Sequence, residues 1–316
     1  MPHLTLAILR YQYLRRLNKP RLGGRGIPQE NKPCLTAGRL AIDLILAHAL
    51  RKPRLFLYQA PEYLPSRVEV NRFGQLLKKY LNGTPLAYLV GSQEFMSLVF
   101  KVNRHTLIPR PETELLVEET LRLISQCCHK VIKVIDLGTG CGNIAVSLAY
   151  WGGRKGLKIF ASDISVAALK VARQNAFTHG VSERITFRRG NLFEAFKRMN
   201  LAGRIDFIVA NPPYVSRADM TVLPESVREY EPSGALYAGQ AGTEIQEGII
   251  SQAPIYLKPD GYLLMEMGIG QAQSVRSMLE KAGLFRETNI IRDYQKIPRV
   301  ILARYHPTGS LREPTG

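Results

Sequence analysis

Cysteine is scarce in this 316-residue chain. There are four, Cys34, Cys127, Cys128 and Cys141, and they show neither paired C-x-x-C spacing nor a disulfide framework. That fits a reducing compartment and leaves no metal-binding signature. No uninterrupted apolar stretch approaches the ~20 residues that a bilayer-spanning helix needs. Internal repeats and low-complexity tracts are absent. Acids are missing from the start of the chain, where the first is Glu30. What remains is the composition of a globular protein, 45% hydrophobic, of a length that suits one large domain plus a smaller one.

The net charge of +17 is unevenly placed: Met1–Pro111 holds 18 Lys and Arg against 5 Asp and Glu, and the rest 25 against 21. A basic first third points to an acidic protein partner, RNA or a ribosomal surface, against the plainer reading of a solvated basic face. Residues 1–36 carry Arg10, Arg15, Arg16, Arg21 and Arg25. Leu4–Leu17 reads as a short amphipathic helix, and Gly23, Gly24, Gly26 and Pro28 then open a loop. An Arg-rich, acid-poor start resembles a mitochondrial transit peptide, but serine enrichment and a cleavage site are missing. The preferred reading is a variable basic extension of a cytoplasmic protein, with its order left open.

Residues 37–83 read as a small helical domain, with Leu40, Leu44, Ile45 and Ala47, then Leu76, Leu77, Tyr80 and Leu81, at helical spacing. It has no cofactor signature and suits substrate docking, with Arg51, Lys52 and Arg54 as candidate contacts. Residues 84–110 switch to strand composition (Phe95, Leu98, Phe100, Val102) and predict a β-hairpin linker. Pro109–Glu114 opens a helix that runs from Leu115 to Ser125. From Val131 onward strands and helices alternate, which predicts an α/β, doubly wound parallel sheet over 111–306, followed by a tail, 307–316.

Two stretches carry chemistry. Asp136-Leu137-Gly138-Thr139-Gly140-Cys141-Gly142 follows the first strand and precedes a helix. Glycines there let a ligand approach the backbone, and the helix start supplies free N–H groups. Asp163 ends the second strand, where an acid accepts from ribose hydroxyls; a helix cap is the competing reading, with Ser165 an equal candidate. Asn191 and Leu192 follow the third strand and read either as contacts to an adenine, with Phe193 an alternative packing group, or as ordinary loop packing. Asn211-Pro212-Pro213-Tyr214 follows the buried run Ile205–Ala210. Two prolines hold that segment extended, so that the carbonyls of Asn211 and Pro212 and the Asn211 side chain face a cleft while Tyr214 supplies an aromatic face. Such a corner suits a planar group bearing NH2.

Together these residues resemble class I S-adenosylmethionine-dependent methyltransferases acting on planar nitrogen. More narrowly, Pro85–Gly91, Glu94-Phe95, Leu107–Glu114 and Glu231-Pro232 are similar to the release factor glutamine N5-methyltransferases, the HemK/PrmC family. The match runs from about Leu40 to the C-terminal strands. It implies a class I methyltransferase fold with a mostly parallel seven-stranded sheet, a small N-terminal helical domain and a linking β-hairpin. It also implies S-adenosylmethionine as cofactor, held by Gly138, Thr139, Gly140, Cys141, Gly142, Asp163, Asn191, Leu192 and Asn211. The substrate implied is the glutamine of the Gly-Gly-Gln motif of peptide-chain release factors, met by Asn211, Pro212, Pro213 and Tyr214, with Asn211, Pro212 and Tyr214 catalytic. Leu192 departs from members that carry tryptophan beside adenine.

An amide NH2 is a poor nucleophile, so catalysis rests on orientation and on exclusion of water, with no dedicated base. His105, His129 and His179 lie outside the motifs. Glu112 and Glu114 read either as cofactor or lid contacts or as helix-start acids, Glu231-Pro232 and Tyr230 as a substrate lid, and Glu266 and Gly268 as structural. The competing functions are an adenine N6-methyltransferase on DNA or RNA, which would flip its base, a glutamine methyltransferase acting on a ribosomal protein, and a non-catalytic RNA- or ribosome-binding protein. A monomer without direct nucleic-acid or membrane binding is expected.

Overall fold

The computed structural model describes residues 5–17, 35–153 and 156–307. The chain forms two compact units, one of Met1–Gly91 with Glu225–Tyr230, the other of Ser92–Pro224 with Glu231–Gly316.

The smaller unit is helical: α1 (Leu6–Leu17), α2 (Leu35–Leu50), α3 (Phe56–Gln59), α4 (Arg67–Leu81), α5 (Leu86–Val90) and, from the later segment, α9 (Glu225–Arg228). Helix α4 starts on a full capping box, in which Ser66 Oγ accepts from Glu69 N and the Glu69 side chain answers the Ser66 amide. Its Phe73 and Leu77 pack on Ile42, Ile45 and Leu46 of α2.

Two expectations are corrected here. The helix expected over Leu4–Leu17 is present as α1, but it belongs to this unit and not to an extension before it, because Leu6 and Leu9 are fully buried in this core. Its Arg10 forms a two-pronged ion pair with buried Asp43, Nε–Oδ1 2.5 Å and Nη2–Oδ2 2.7 Å. The loop expected over Gly23–Pro28 lies outside the described residues. Residues 86–90 form one helical turn rather than the start of a strand segment, because Pro85 sits at the N-cap and Gly91 at the C-cap with φ 77°. Local caps override β propensity in so short a run.

The larger unit begins with the hairpin β1 (Ser92–Phe95) and β2 (Leu98–Lys101), joined by Met96 and Ser97, both at positive φ, 52° and 59°. That is the backbone of a tight primed turn without its usual glycine. Three side chains hold it: Glu114 Oε1 accepts from Met96 N at 2.6 Å, Trp151 Nε1 donates to Met96 O at 3.0 Å, and Asn175 Oδ1 accepts from Lys101 N at 2.8 Å. The hairpin is therefore packed into this unit and not a free linker.

After α6 (Glu114–Gln126) the sheet is built from β3 (Ile132–Leu137), β4 (Leu157–Asp163), β5 (Ile185–Arg189), β6 (Ile205–Ala210), β9 (Leu257–Glu266), β10 (Phe285–Arg292) and β11 (Pro298–Tyr305). Between them run α7 (Asn143–Trp151), α8 (Val166–Thr178), α10 (Glu244–Tyr256) and α11 (Ala272–Ala282), with the short pair β7 (Val215–Ser216) and β8 (Tyr237–Gly239). The seven strands lie in the order β10-β11-β9-β6-β3-β4-β5. Strands β9, β6, β3, β4 and β5 pair in parallel, and β11 runs antiparallel to both β9 and β10. All six residues of β6 are buried, as a strand covered on both faces requires. This is the doubly wound class I methyltransferase sheet, with its switch point between β3 and β6. No helix among the described residues is long and apolar enough to cross a membrane.

Candidate active site

Register brings the two motifs together. Leu137 pairs with Ala210, so Gly138 and Asn211 leave adjacent strand ends at the switch point, where open α/β sheets hold their ligands. On the outer sides Leu137 pairs with Ser162, and Ala210 with Met265, which sets Asp163 and Glu266 one residue beyond.

In the glycine loop Gly138 and Gly140 have φ of 70° and 57°, and a Cβ on either would meet almost nothing, only Gly138 O at 4.0 Å from the Gly140 position. Packing does not require glycine at either position; the positive φ favours it, and the backbone is left bare for close approach. Gly142 differs, since a Cβ there would stand 3.1 Å from Ala172 Cβ of α8, so helix packing adds to the demand of its φ of 84°. Thr139 is buried, donating Oγ1–H to Asp136 Oδ2 at 2.6 Å and N–H to Ser162 O at 2.8 Å. Cys141 also turns inward, and burial pushes its thiol up to about 12, which leaves only its backbone to the cleft. Asp136 is fully buried, its Oδ1 has no hydrogen-bond partner, and desolvation pushes the carboxyl up to about 7.

Asp163 is not a helix cap. Ser165 takes that place, its Oγ accepting from Ala168 N at 3.1 Å. Asp163 Oδ2 accepts from Gly140 N and Oδ1 from Ser165 N, both at 2.8 Å, which fixes the carboxylate while each oxygen keeps a free lone pair. Asn191 is exposed, and its side chain caps nothing. Leu192 sits at a positive φ of 45°, half-buried against the core. The alternative placing of Phe193 beside a ligand is corrected: that ring is fully buried and stacked on Tyr256 at 4.8 Å. Ile164, next to Asp163, is 66% exposed, an apolar neighbour that sequence reasoning missed.

The Asn211–Tyr214 corner is held from several directions. Asn211 Nδ2 donates to Thr113 Oγ1 at 3.0 Å, and Thr113 Oγ1 donates to Glu266 Oε2 at 2.6 Å. Gln271 Nε2 donates to Tyr214 O and Gly242 O, both at 2.9 Å, while its Oε1 accepts from Gly268 N at 2.9 Å. A Cβ on Gly268 would stand 3.1 Å from Tyr214 Cδ2, and one on Gly242 2.8 Å from Tyr214 O, so both glycines make room for the tyrosine segment. Burial first, then the neighbouring Glu266, hold the Tyr214 phenol well above its ordinary range. Desolvation likewise pushes the Glu266 carboxyl up to about 7.

A family model described as "PrmC N-terminal domain" matches residues 35–91, and one described as "Methyltransferase domain" matches residues 128–290. The chain is 38% identical over 269 residues to the release factor glutamine methyltransferase of Nitratidesulfovibrio vulgaris, covering 85% of this chain and 88% of that one. It is 38% identical over 267 residues to the protein of the same name from Moorella thermoacetica, covering 84% and 90%. The chain belongs to the release factor glutamine methyltransferase family. Among solved structures, the hMettl16 catalytic domain in complex with the MAT2A 3'UTR hairpin 6 superposes with a TM-score of 0.55 at 17% identity, covering 74% of this chain and 93% of that one. At that identity the likeness concerns the fold alone.

A release factor glutamine methyltransferase uses S-adenosylmethionine, and the residues present fit it. The bare backbone at Gly138 and Gly140 and the fixed Asp163 carboxylate form a cradle at the switch point, with the buried Asp136 carboxyl beneath it. Among the described residues no cluster of His, Cys, Asp or Glu converges on a metal position.

Several acids of this family member serve the scaffold. Glu114 holds the hairpin turn, and Glu112 faces Arg299 at 3.4 Å. Glu231 is no exposed lid residue: it is buried, accepts from Ile108 N at 3.1 Å and pairs with Arg110. Tyr230 is also tied down, its hydroxyl donating to Asn82 O at 3.2 Å within the smaller unit. Thr113 and Gln271 are the supporting residues that the sequence did not reveal, and Glu266, read there as structural, is the buried acceptor behind Thr113. Thr113 lay in view inside the Pro109–Glu114 motif, and only its helix-start position was read.

Proposed function

We propose that this chain transfers the methyl group of S-adenosylmethionine to the side-chain amide nitrogen (N5) of the glutamine in the Gly-Gly-Gln motif of peptide-chain release factors. The observation that carries this reading is the orientation of Asn211. Its Nδ2 is spent on Thr113, so Oδ1 is the atom left to accept a hydrogen from a substrate NH2. The Pro212 carbonyl accepts the second hydrogen, and the Tyr214 ring covers the amide plane. Two acceptors on the two in-plane N–H bonds fix the orientation of the amide plane, and with it the direction of the nitrogen lone pair, which stands perpendicular to that plane.

The cofactor supplies an electrophilic methyl on a sulfonium. The protein supplies orientation and a water-poor corner, the terms that matter most for a weak nucleophile. Asp163 would hold the ribose hydroxyls, the backbone of Gly138–Gly142 the methionine portion, and Leu192 and Asn191 the adenine. Proton loss follows transfer, which needs no strong base.

The helical unit is the docking module in this reading. Ala47, His48, Arg51, Lys52 and Arg72 line an open basic cleft on it, suited to an acidic face of a partner protein. The same reading makes the enzyme a cytoplasmic monomer that acts on protein and not on nucleic acid.

The test is methyl transfer from labelled S-adenosylmethionine to a purified release factor, beside a Gly-Gly-Ala variant and duplex DNA. Label on the wild-type factor alone supports the proposal, and label on DNA or on the variant overturns it. Asn211→Ala should cost at least ~100-fold in transfer, the size of a lost transition-state hydrogen bond, with cofactor affinity within a few-fold. Equal loss of both would remove Asn211 from the substrate side.

A further inference from the structure

We infer that Thr113, anchored on the buried carboxyl of Glu266, sets which way the Asn211 carboxamide faces and is a positioning residue for methyl transfer. This rests on the role proposed above for Asn211. Thr113 ends the 3-10 turn Pro111–Thr113 that leads directly into α6, its backbone is already helical (φ -69°, ψ -19°), and its hydroxyl is not used on a helix amide. Its side chain turns inward instead, with the residue 1% exposed, and meets groups 98 and 153 residues away.

The hydrogen count fixes the direction of the chain of bonds. A hydroxyl has one hydrogen, and a carboxamide nitrogen can only donate. Thr113 Oγ1 therefore accepts from Asn211 Nδ2 and gives its own hydrogen to Glu266 Oε2. Turning the amide over would set Asn211 Oδ1 against Thr113 and claim that hydrogen. Thr113 Oγ1 and Glu266 Oε2, 2.6 Å apart, would then face each other without a proton. Only a proton on Glu266 relieves that clash of acceptors. Ionised Glu266 thus presents Asn211 Oδ1 to the cleft, and protonated Glu266 permits Nδ2 in its place, a donor facing the donors of a substrate NH2. The charged and titratable neighbours of Glu266 are Tyr214, Glu112 and Arg299, with Arg110 and Arg299 also acting on Tyr214. Burial is the largest influence and places the Glu266 transition near neutrality.

The test uses the full chain with Thr113→Val, Thr113→Ser and Glu266→Gln. Thr113→Val should lower kcat ~10- to 100-fold, the range for one positioning hydrogen bond at a reacting group. The Kd for S-adenosylhomocysteine should stay within about twofold, since no cofactor contact is touched. Thr113→Ser should restore kcat to within about threefold, because the hydroxyl is kept. The wild-type kcat should rise through about pH 7, and Glu266→Gln should flatten that rise. Independently of turnover, NMR of the Asn211 side-chain amide should show one Nδ2 proton protected at pH 8 and exposed in Thr113→Val. Full activity of Thr113→Val, a Thr113→Ser variant as impaired as Thr113→Val, or an unchanged pH profile in Glu266→Gln would each overturn the inference. A wild type that leaves the release factor unmethylated while the amide protection follows Thr113 would overturn the proposed substrate and uphold the positioning role.

Discussion

Arg10→Ala tests whether the first helix belongs to the folded N-terminal unit. Asp43 is almost completely enclosed, its side chain 2% exposed, and Arg10 meets it with two short bonds while Tyr58 Oη supplies a third at 2.6 Å. Removing the guanidinium leaves a buried carboxylate with one neutral donor. Breaking a buried pair from one side costs about 3–5 kcal/mol. The Arg10 side chain is itself 15% exposed, so water can reach the gap, and Tyr58 remains; roughly 2–3 kcal/mol is the expected loss. The Arg10 guanidinium also lies 4.6 Å from the Tyr58 ring centroid, a contact worth about 0.5–1 kcal/mol that the same variant loses. Urea unfolding followed by circular dichroism, at constant slope, reads the change. Asp43→Leu with Arg10→Met should recover most of it, since apolar replacement of a buried pair is close to neutral. A loss below about 0.5 kcal/mol for Arg10→Ala would refute the reasoning and return this segment to a loose extension.

The remaining predictions concern the larger unit and its partner. The Asp136 and Glu266 carboxyls are held near 7 in the fold, against about 4 in an unfolded chain, so the unfolded state sheds these protons first as pH rises. Their contribution is therefore fully present below about pH 4 and is lost between about 4 and 7, on the order of 3 kcal/mol per group, and cofactor-free Tm should fall across that window; a Tm that rises steadily from pH 5 to 8 would contradict it. Gly142→Ala should destabilise by about 2–3 kcal/mol through its φ of 84° and the Ala172 contact, read by urea unfolding. Gly140→Ala should cost only about 1 kcal/mol in stability yet weaken cofactor binding at least ~10-fold in calorimetry, and unchanged affinity would remove the loop from the cofactor site. Neutralising Arg51, Lys52 and Arg54 together should raise the Kd for a whole release factor more than it slows turnover of a short glutamine peptide, and equal effects would remove the docking role.

What was legible in the sequence was local. Buried parallel strands announce themselves as short apolar runs such as Ile205–Ala210, and the glycine loop and the Asn-Pro-Pro-Tyr corner each lie within one stretch. The position of Asp163 at the end of β4 was legible because a strand end is itself a local signal. Contacts that close over long separations were not. Nothing near Thr113 tells that its partner is Glu266, and nothing near Arg10 points to Asp43. Leu86–Val90 misled because its composition suits a strand while its flanking Pro85 and Gly91 suit a helix, and in five residues the caps win. Phe193 misled because position after a strand cannot tell which of two adjacent apolar side chains turns to the core.

The smaller unit is completed late in the sequence. Residues 225–230 belong to it, with Tyr230 bonded to Asn82 O and its ring near the bare Gly83. On a translating ribosome, helices α1–α5 must therefore wait while more than a hundred further residues are made before their last piece emerges. A fragment ending at Gly91 is accordingly an unfinished body, because α9, the last helix of the smaller unit, stays with the other fragment.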